Sequence, residues 1–306
     1  MKKIIQRIFK LLLFGVIAFI ILSSLGAGYL VNSFVNSFIH PGRLPSTSTP
    51  ARFNISMWED VTLITDDGLS LEGWYIPATP QQDGSAVILI HGLAGNKDHM
   101  LSDAEYLSEA GYGVLLFDLR NHGNSDGELT TFGFNEMQDM QTAISFLQAQ
   151  PEVNHELISL YGYSLGGSVV LEAAANMPEI HSVILLSTFS SLEENAQEIV
   201  GGLIDQPNTQ THWIALRLGE WKAGIPITEV NSTENIQSIA PRPVLLMHGE
   251  KDRLIPVANS YRLFEAASEP KELLIIPNAD HNDVKPIGAE MIETAVLDFL
   301  AAHQDQ

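Results

Sequence analysis

A long apolar stretch lies near the start of the chain. The 21 residues from Leu11 to Val31 carry no charge, and a helix of that length can cross a bilayer. Four basic residues fall within the first ten positions, and the next one is Arg43. Because basic residues favour the cytoplasmic side of a membrane, this pattern predicts a cytoplasmic start at 1–10 and a single transmembrane anchor at 11–31. The remaining chain is then expected on the extracytoplasmic side of the cell membrane.

A cleaved secretory signal is the alternative interpretation of the same stretch. Gly26-Ala27-Gly28 offers the small residues that signal cleavage requires. Apolar residues continue beyond that point to Phe34, which favours the uncleaved anchor, whereas cleavage would give a secreted protein. Residues 32–52 are predicted to be a linker, because Pro41 to Ala51 is rich in proline, serine and threonine, as extended stalks are.

Beyond residue 53, short apolar runs alternate with patterns of helical period. Alternating residues around Asp67-Gly68 predict a β-hairpin over 53–78. Later runs resemble strands buried on both faces, at 86–90, 114–117, 157–161, 183–186, 244–247 and 273–276. Helices are predicted between them at 97–110, 134–149, 165–176 and 257–268, with a further helix at the C-terminus. The pattern indicates one α/β domain over 53–306, whose mostly parallel central sheet is covered by helices on both faces.

One long segment interrupts this alternation. Residues 189–240 form an insert that contains Trp213 and Trp221. We interpret the insert as a short helical cap over the ligand-binding edge of the sheet. The alternative is an enlarged connection with no role in substrate binding, since long insertions are tolerated.

The sequence Gly162-Tyr163-Ser164-Leu165-Gly166 matches the pattern G-x-S-x-G between a predicted strand and a predicted helix. In that context the serine occupies a sharp turn that exposes its hydroxyl group. Small residues at 162 and 166 keep the strand and the helix from clashing. Ser164 is therefore the candidate nucleophile, and the backbone N–H of Leu165 is a candidate donor to a developing oxyanion.

With this motif, residues 55–303 resemble the α/β-hydrolase superfamily, and most of all its single-pass membrane hydrolases and serine aminopeptidase-like members with a short cap. The resemblance implies that an acid and then a histidine follow the serine along the chain. Asp252 matches the acid in the H-G-x-x-D loop after the strand at 244–247, and Glu250 is its nearest rival. His281 matches the general base in the loop after the strand at 273–276.

Two further loops resemble the same family. His91-Gly92-Leu93 follows the strand at 86–90, and by analogy the Leu93 N–H is the second oxyanion donor. Residues 118–125 resemble the stretch D-x-R-G-x-G-x-S, with Asn121 in place of the usual glycine. Asn121 tolerates a left-handed backbone better than most residues, so we expect a structural turn here. The histidines at 91, 99 and 122 match no metal-ligand spacing, and no metal site is predicted.

Net charge and the lack of cysteine exclude several kinds of partner and site. The net charge is −21, and without the four basic residues of the first ten positions the rest of the chain carries −25. Such a charge repels phosphate backbones and argues against nucleic acid as a partner. The chain has no cysteine, which excludes disulfides, thiolate metal sites and cysteine nucleophiles.

The sequence therefore predicts a serine hydrolase that cleaves a carboxylic ester or thioester through an acyl-enzyme on Ser164. No cofactor is required, and the expected partner besides the membrane is a small-molecule or peptide acyl substrate. An aminopeptidase or amidase with the same residues is the alternative, and ester turnover without release from aminoacyl amides would eliminate it. A non-catalytic binding module on the same fold is a third hypothesis, because function depends on sites rather than folds.

Overall fold

A computed structural model describes residues 2–79, 83–204, 211–226 and 230–304. Within these residues, eight strands form one sheet in the order β1-β2-β4-β3-β5-β6-β7-β8. The strands are β1 (Glu59–Ile64), β2 (Ser70–Ile76), β3 (Ala86–Ile90), β4 (Gly113–Phe117), β5 (Ile158–Tyr163), β6 (Val183–Leu186), β7 (Val244–Gly249) and β8 (Lys271–Ile276). Strand β2 pairs antiparallel with β1 and β4, and every other pair is parallel.

Helices connect the strands and cover the sheet. They are α1 (Lys2–Ile39), α2 (Leu101–Ala110), α3 (Glu136–Gln148), α4 (Leu165–Asn176), α5 (Leu192–Ile204), α6 (Thr211–Ala223), α7 (Ser232–Ser238), α8 (Ala258–Ala266) and α9 (Val284–Ala302). One hydrophobic cluster includes buried residues of α3, α4 and α8. A second includes buried residues of α2 and α9. Because β3 sends Ile88 into the first cluster and Leu89 into the second, the sheet is buried on both faces, and the predicted α/β class is confirmed.

The insert after β6 is helical, with α5, α6 and α7 inside the predicted range 189–240. Helix α6 lies against the end of α1. The Lys222 ammonium group donates to the side-chain oxygens of Asn32 and Asn36, each at 2.7 Å. The cap and the N-terminal helix are thus joined by charge-assisted hydrogen bonds.

Helix α1 is longer than the predicted anchor. The stretch Leu13–Ile39 is long and apolar enough to cross a membrane, as an anchor or a signal sequence would be. The helix continues eight residues past the predicted end of the anchor at residue 31. Polar residues such as Asn32 and Ser37 lower the hydropathy there without breaking the helix, which ends before Pro41 and Gly42.

The first part of the predicted linker 32–52 is therefore helical and docked on the domain. Val35 and Ile39 are only 5% and 2% exposed and belong to the hydrophobic core. The Ile39 carbonyl accepts hydrogen bonds from the Thr130 backbone N–H and the Asn121 amide. Farther along, the backbone N–H groups of residues 47 and 48 donate to the Asp98 carboxylate. These contacts tie the segment down, which differs from the extended stalk that its composition predicts.

Candidate active site

Ser164 occupies the turn between β5 and α4. Its backbone has φ 55° and ψ −117°, a conformation that is costly for any residue other than glycine and that clusters at functional sites. The Ser164 N–H donates to the Leu186 carbonyl at 2.9 Å, which holds the turn against β6. The G-x-S-x-G motif thus forms the strained strand-to-helix turn that its context predicts.

The two motif glycines are required by close backbone contacts. A Cβ atom on Gly162 would lie 2.3 Å from the carbonyl oxygen of Gly166, and one on Gly166 would lie 2.3 Å from that of Ile90. These neighbours are backbone atoms, so they cannot rotate away as a flexible side chain would. The sequence of the turn therefore follows from how closely α4 approaches β3 and β5.

The structure brings Ser164, His281 and Asp252 into one hydrogen-bonded chain. His281 Nε2 lies 3.0 Å from Ser164 Oγ, and His281 Nδ1 lies 2.7 Å from Asp252 Oδ2. Each residue is at least nine-tenths buried. Ser164, Asp252 and His281 follow β5, β7 and β8 respectively, so all three groups lie at the carboxyl edge of the parallel strands, where ligands bind in such sheets.

Asp252 is held as a carboxylate. Burial by itself would raise its pKa, but hydrogen bonds from His248 and His281 outweigh this effect and lower the pKa to about 2. The other carboxylate oxygen accepts from the backbone N–H groups of Leu254 and Ile255, at 3.0 and 2.7 Å. A charged carboxylate at this place holds a proton on His281 Nδ1, which leaves Nε2 free to accept one from Ser164.

His248 is a residue whose contact the sequence interpretation missed. Its Nε2 lies 2.8 Å from the Ile255 carbonyl and 3.3 Å from Asp252 Oδ2. Because a carbonyl can only accept, Nε2 carries the proton, and Nδ1 accepts from the Ser260 hydroxyl at 2.6 Å. The sequence carries no signal for this contact, because it depends on how the loop after β7 folds back.

The loop that carries His281 is fixed from two sides. The Tyr163 hydroxyl donates to the His281 carbonyl at 2.8 Å, and the two rings stack with centroids 5.3 Å apart. The Asp280 carboxylate accepts from the His281 N–H and forms an ion pair with Arg253. Glu250, the rival acid, is exposed and accepts instead from the Asn278 N–H at 3.0 Å, so it does not contact His281.

The loop after β3 lies directly against the nucleophile. A Cβ on Gly92 would stand 3.2 Å from the Ser164 Cβ. His91 Nε2 accepts from the Leu119 N–H, so its Nδ1–H donates to the Gly92 carbonyl at 2.8 Å. Among the residues that the structure describes, none accepts a hydrogen bond from the backbone N–H of Leu93 or Leu165. The role of these two groups as oxyanion donors stays a prediction.

The segment 118–125 forms a buried structural turn. Asn121 adopts a left-handed backbone with φ 62°, as expected where it replaces a glycine. The Asp118 carboxylate pairs with the buried Lys97 ammonium group at 2.8 Å. Burial lowers the pKa of His91 and of His122, whose rings lie 5.1 Å apart. In the described part of the chain, no cluster of three or more candidate ligand side chains could hold a metal ion.

Comparisons with known proteins agree with this architecture. A family model described as alpha/beta hydrolase fold matches residues 85–213. The uncharacterized protein YfhR of Salmonella typhi is 30% identical over 284 residues, which cover 87% of each chain. The chain belongs to the α/β-hydrolase family. Protein bem46 of Schizosaccharomyces pombe is 27% identical over 97% of this α/β-hydrolase and 95% of its own length.

Solved α/β-hydrolase structures share the fold. The esterase PF2001 of Pyrococcus furiosus superposes with a TM-score of 0.71 at 24% identity, over 87% of this chain and 98% of its own. The α/β-hydrolase GrgF of a Penicillium species superposes with a TM-score of 0.66 at 27% identity, over 82% and 100%. GrgF is named a polyketide transferase among curated proteins. The superpositions show the shared fold, in agreement with membership of the α/β-hydrolase family.

Proposed function

We propose that the protein is a membrane-anchored serine hydrolase that cleaves a carboxylic ester or thioester. The observation that carries the proposal is the hydrogen-bonded chain from Ser164 through His281 to Asp252. A serine hydroxyl is a poor nucleophile at neutral pH unless a base beside it takes its proton. The buried, ionised Asp252 supports His281 in this role by fixing its tautomer and stabilising its cationic form.

The reaction follows from these contacts. His281 Nε2 takes the Ser164 proton as Oγ attacks the acyl carbon, and the carbonyl oxygen becomes an oxyanion. The amides of Leu93 and Leu165 donate to that oxyanion, and each such donor contributes about 3 kcal/mol to transition-state stability. The leaving oxygen or sulfur departs with the proton from His281. Water, activated by the same histidine, then releases the acid and restores Ser164.

The name of one structural neighbour favours ester cleavage. PF2001 is called an esterase, and grgF is called a polyketide transferase. The free backbone amides beside Ser164 suit an acyl oxyanion of this kind. On this basis we place ester and thioester substrates ahead of amides.

We propose that α1 is an uncleaved anchor. Apolar side chains before its docked end are exposed, such as Leu22 and Leu25, at 68% and 66%. Helix α6, beside α1, exposes Trp213 and Trp221 at 51% and 78%, and tryptophan is enriched where membranes meet water. These features support a domain held against the extracytoplasmic membrane surface.

Labelling with a fluorophosphonate tests the proposed function. The full-length protein in detergent micelles should become labelled at Ser164 and should hydrolyse p-nitrophenyl butyrate. Ser164→Ala should abolish labelling and lower kcat/KM by roughly 10⁴-fold or more, because the nucleophile acts as part of a unit. Ser145→Ala, which changes an exposed serine on α3, is the matched control and should behave as wild type.

The outcomes separate the three hypotheses. Wild-type protein that neither labels nor turns over the ester would favour a binding module. Release from aminoacyl p-nitroanilides that exceeds ester hydrolysis would favour an aminopeptidase. Residual ester turnover near the wild-type rate in Ser164→Ala would contradict Ser164 as nucleophile.

A further inference from the structure

An apolar cavity lies between the N-terminal helix and the cap. A water-sized sphere can move through about 70 Å³ of it, and the whole empty space between the walls, about 560 Å³, includes a part that is open to solvent. The cavity is therefore narrow and partly open. Its walls come from α1, from the loop before α3, and from α5 and α6, and include Phe34, Phe38, Phe132, Leu192, Ala196 and Leu216.

Within the described part of the chain, the lining carries no charged side chain. Water finds few hydrogen-bond partners in such a space, whereas a hydrocarbon chain that enters it gains about 25 cal/mol of free energy for each Å² of apolar surface removed from water. Asn195 is the polar side chain in the wall, and its buried Oδ1 has no hydrogen-bond partner within the described residues. The cavity therefore fits an apolar chain and offers one hydrogen-bonding atom to a polar group of the same ligand.

One wall of the cavity is bonded to the helix that follows the nucleophile. Phe132 lines the cavity, and its carbonyl accepts a hydrogen bond from the Ser168 hydroxyl at 2.7 Å. Ser168 stands one helical turn, about 5.4 Å, after Ser164 on α4. Leu165 belongs to the same hydrophobic cluster as Phe132 and Leu192, and Leu93 packs against that cluster. The cavity wall and the residues that flank Ser164 are thus parts of one apolar cluster.

The helix that lines the cavity is also the candidate membrane span. Helix α1 runs without a break from Lys2 to Ile39. Its last turns contribute Phe34 and Phe38 to the cavity, while Leu25 and Leu30 earlier in the helix are exposed. A chain that leaves the bilayer along α1 therefore meets this cavity without crossing a charged surface of the helix.

We propose that this cavity binds the long acyl chain of a membrane lipid ester, which moves from the bilayer along α1 until its carbonyl carbon reaches Ser164. The inference rests on the proposed function and names the substrate class of the same site. The bond that breaks is the one between the acyl carbon and the lipid's ester oxygen. The alcohol leaves with the proton from His281, and water later releases the fatty acid.

A chain-length series in vesicles tests the proposal. The full-length protein in phosphatidylcholine vesicles is assayed on p-nitrophenyl butyrate and p-nitrophenyl palmitate. We expect kcat/KM to be at least tenfold higher for palmitate. Ala196→Phe and, on the opposite wall, Ala215→Leu fill the cavity and should lower the palmitate-to-butyrate ratio at least tenfold. Ala301→Phe adds the same ring at an exposed position of α9 and should leave the ratio as in wild type.

Two further measurements identify the site and the source of the chain. A palmitate with a terminal diazirine should crosslink to cap residues 192–199, and less so in Ala196→Phe. This readout does not depend on turnover. At a fixed bulk amount of palmitate ester, added phosphatidylcholine should lower the rate, because the ester becomes dilute in the bilayer.

The results distinguish failure of this inference from failure of the proposed function. Butyrate turnover and fluorophosphonate labelling without a chain-length preference would overturn the acyl site and leave the hydrolase standing. Crosslinks that avoid the cap would overturn it as well. A rate that follows only the bulk ester concentration would mean that the chain arrives from solution and would overturn the route along α1. Loss of labelling and of all turnover, with crosslinks still on the cap, would reject the hydrolase and retain the binding site.

Discussion

Asp252 keeps its charge in a buried position because several groups donate hydrogen bonds to it. The backbone N–H groups of Leu254 and Ile255 hold one oxygen, and His281 and His248 lie beside the other. Such a carboxylate binds a proton less tightly in the folded protein than in the unfolded chain. At the residue scale, the response of stability to acid therefore depends on this side chain.

Stability should depend on acid through Asp252. Its pKa falls from 3.8 to about 2 on folding, which corresponds to roughly 2 kcal/mol of stability at neutral pH. Because folding lowers the pKa of this carboxyl group, its ionisation stabilises the folded state at high pH. This contribution to the free energy of unfolding is nearly complete above pH 4 and is lost as the pH falls through 2. Urea unfolding in detergent should show that wild type loses about 2 kcal/mol more than Asp252→Asn between pH 5 and pH 2; parallel curves would refute this.

His248 is expected to position Asp252. Loss of a hydrogen bond to a charged group costs about 1.5–3 kcal/mol, so His248→Leu should lower kcat by roughly ten- to a hundredfold with little change in KM. It should also raise the pKa of Asp252, so that His248→Leu loses less stability than wild type between pH 5 and pH 2. His248→Gln, whose amide can donate as Nε2 does, should restore part of the rate. A rate loss with the wild-type dependence of stability on acid would show that His248 does not act through Asp252.

Motif and spacing predict part of this site. The glycines of the G-x-S-x-G motif predict Ser164. Their positions in loops directly after predicted strands predict Asp252 and His281. The contact between His248 and Asp252 was not readable, because it depends on how the loop 249–256 folds back between β7 and α8. Free backbone amides such as that of Leu93 leave no trace in residue type, so only the loop's position could suggest them.

At the scale of elements, the turn between β5 and α4 depends on backbone contacts that no side chain can relieve. The carbonyl oxygens of Ile90 and His91 would lie 2.3 and 2.7 Å from a Cβ on Gly166. The same loop after β3 carries the Leu93 amide. The same loop therefore determines how closely α4 packs and where the Leu93 amide lies.

Gly166→Ala should disturb both the packing of α4 and the position of the Leu93 amide. To accommodate the methyl group, α4 must move away from β3, which costs about 1–3 kcal/mol or more as overpacking does and separates Leu93 from Ser164. We expect a lower melting temperature together with weaker fluorophosphonate labelling. Gly42→Ala is the control, because its Cβ would meet no atom within 4 Å. Full labelling of a normally stable Gly166→Ala protein would show that the loop adapts.

The elements themselves were largely predictable. The predicted helix 165–176 and strand 86–90 coincide with α4 and β3, because glycine or a turn marks both ends. The end of α1 was not predictable from hydropathy, since Asn32 and Asn36 look like the start of a linker. Their role becomes visible only beside Lys222, about 190 residues away along the chain.

At the scale of the whole molecule, the end of α1 is part of the hydrophobic core as the sheet is. The docked end of this helix fills part of the core with Val35 and Ile39, and the Ile39 carbonyl satisfies the buried Asn121 amide. A domain that begins after residue 42 would lose these contacts. The candidate membrane span, Leu13–Ile39, and the docked residues of the domain thus overlap in sequence.

Two truncations test this overlap. A protein of residues 29–306 should fold and melt near the full-length temperature. A protein of residues 43–306 should be less stable by several kcal/mol, since each buried aliphatic side chain contributes about 1.5–3 kcal/mol. Thermal melting in the same detergent compares the two. Equal melting temperatures would show that the docked turns are dispensable.

The continuous helix between bilayer and domain also has a geometric consequence. In the anchored form that we propose, no loose tether intervenes before Ile39, so the candidate site stays at one height above the lipid headgroups and in one orientation. An enzyme held in this way diffuses only in the plane of the membrane. It acts on molecules that present their reactive group at that height, and it does not reach large molecules dissolved farther from the membrane.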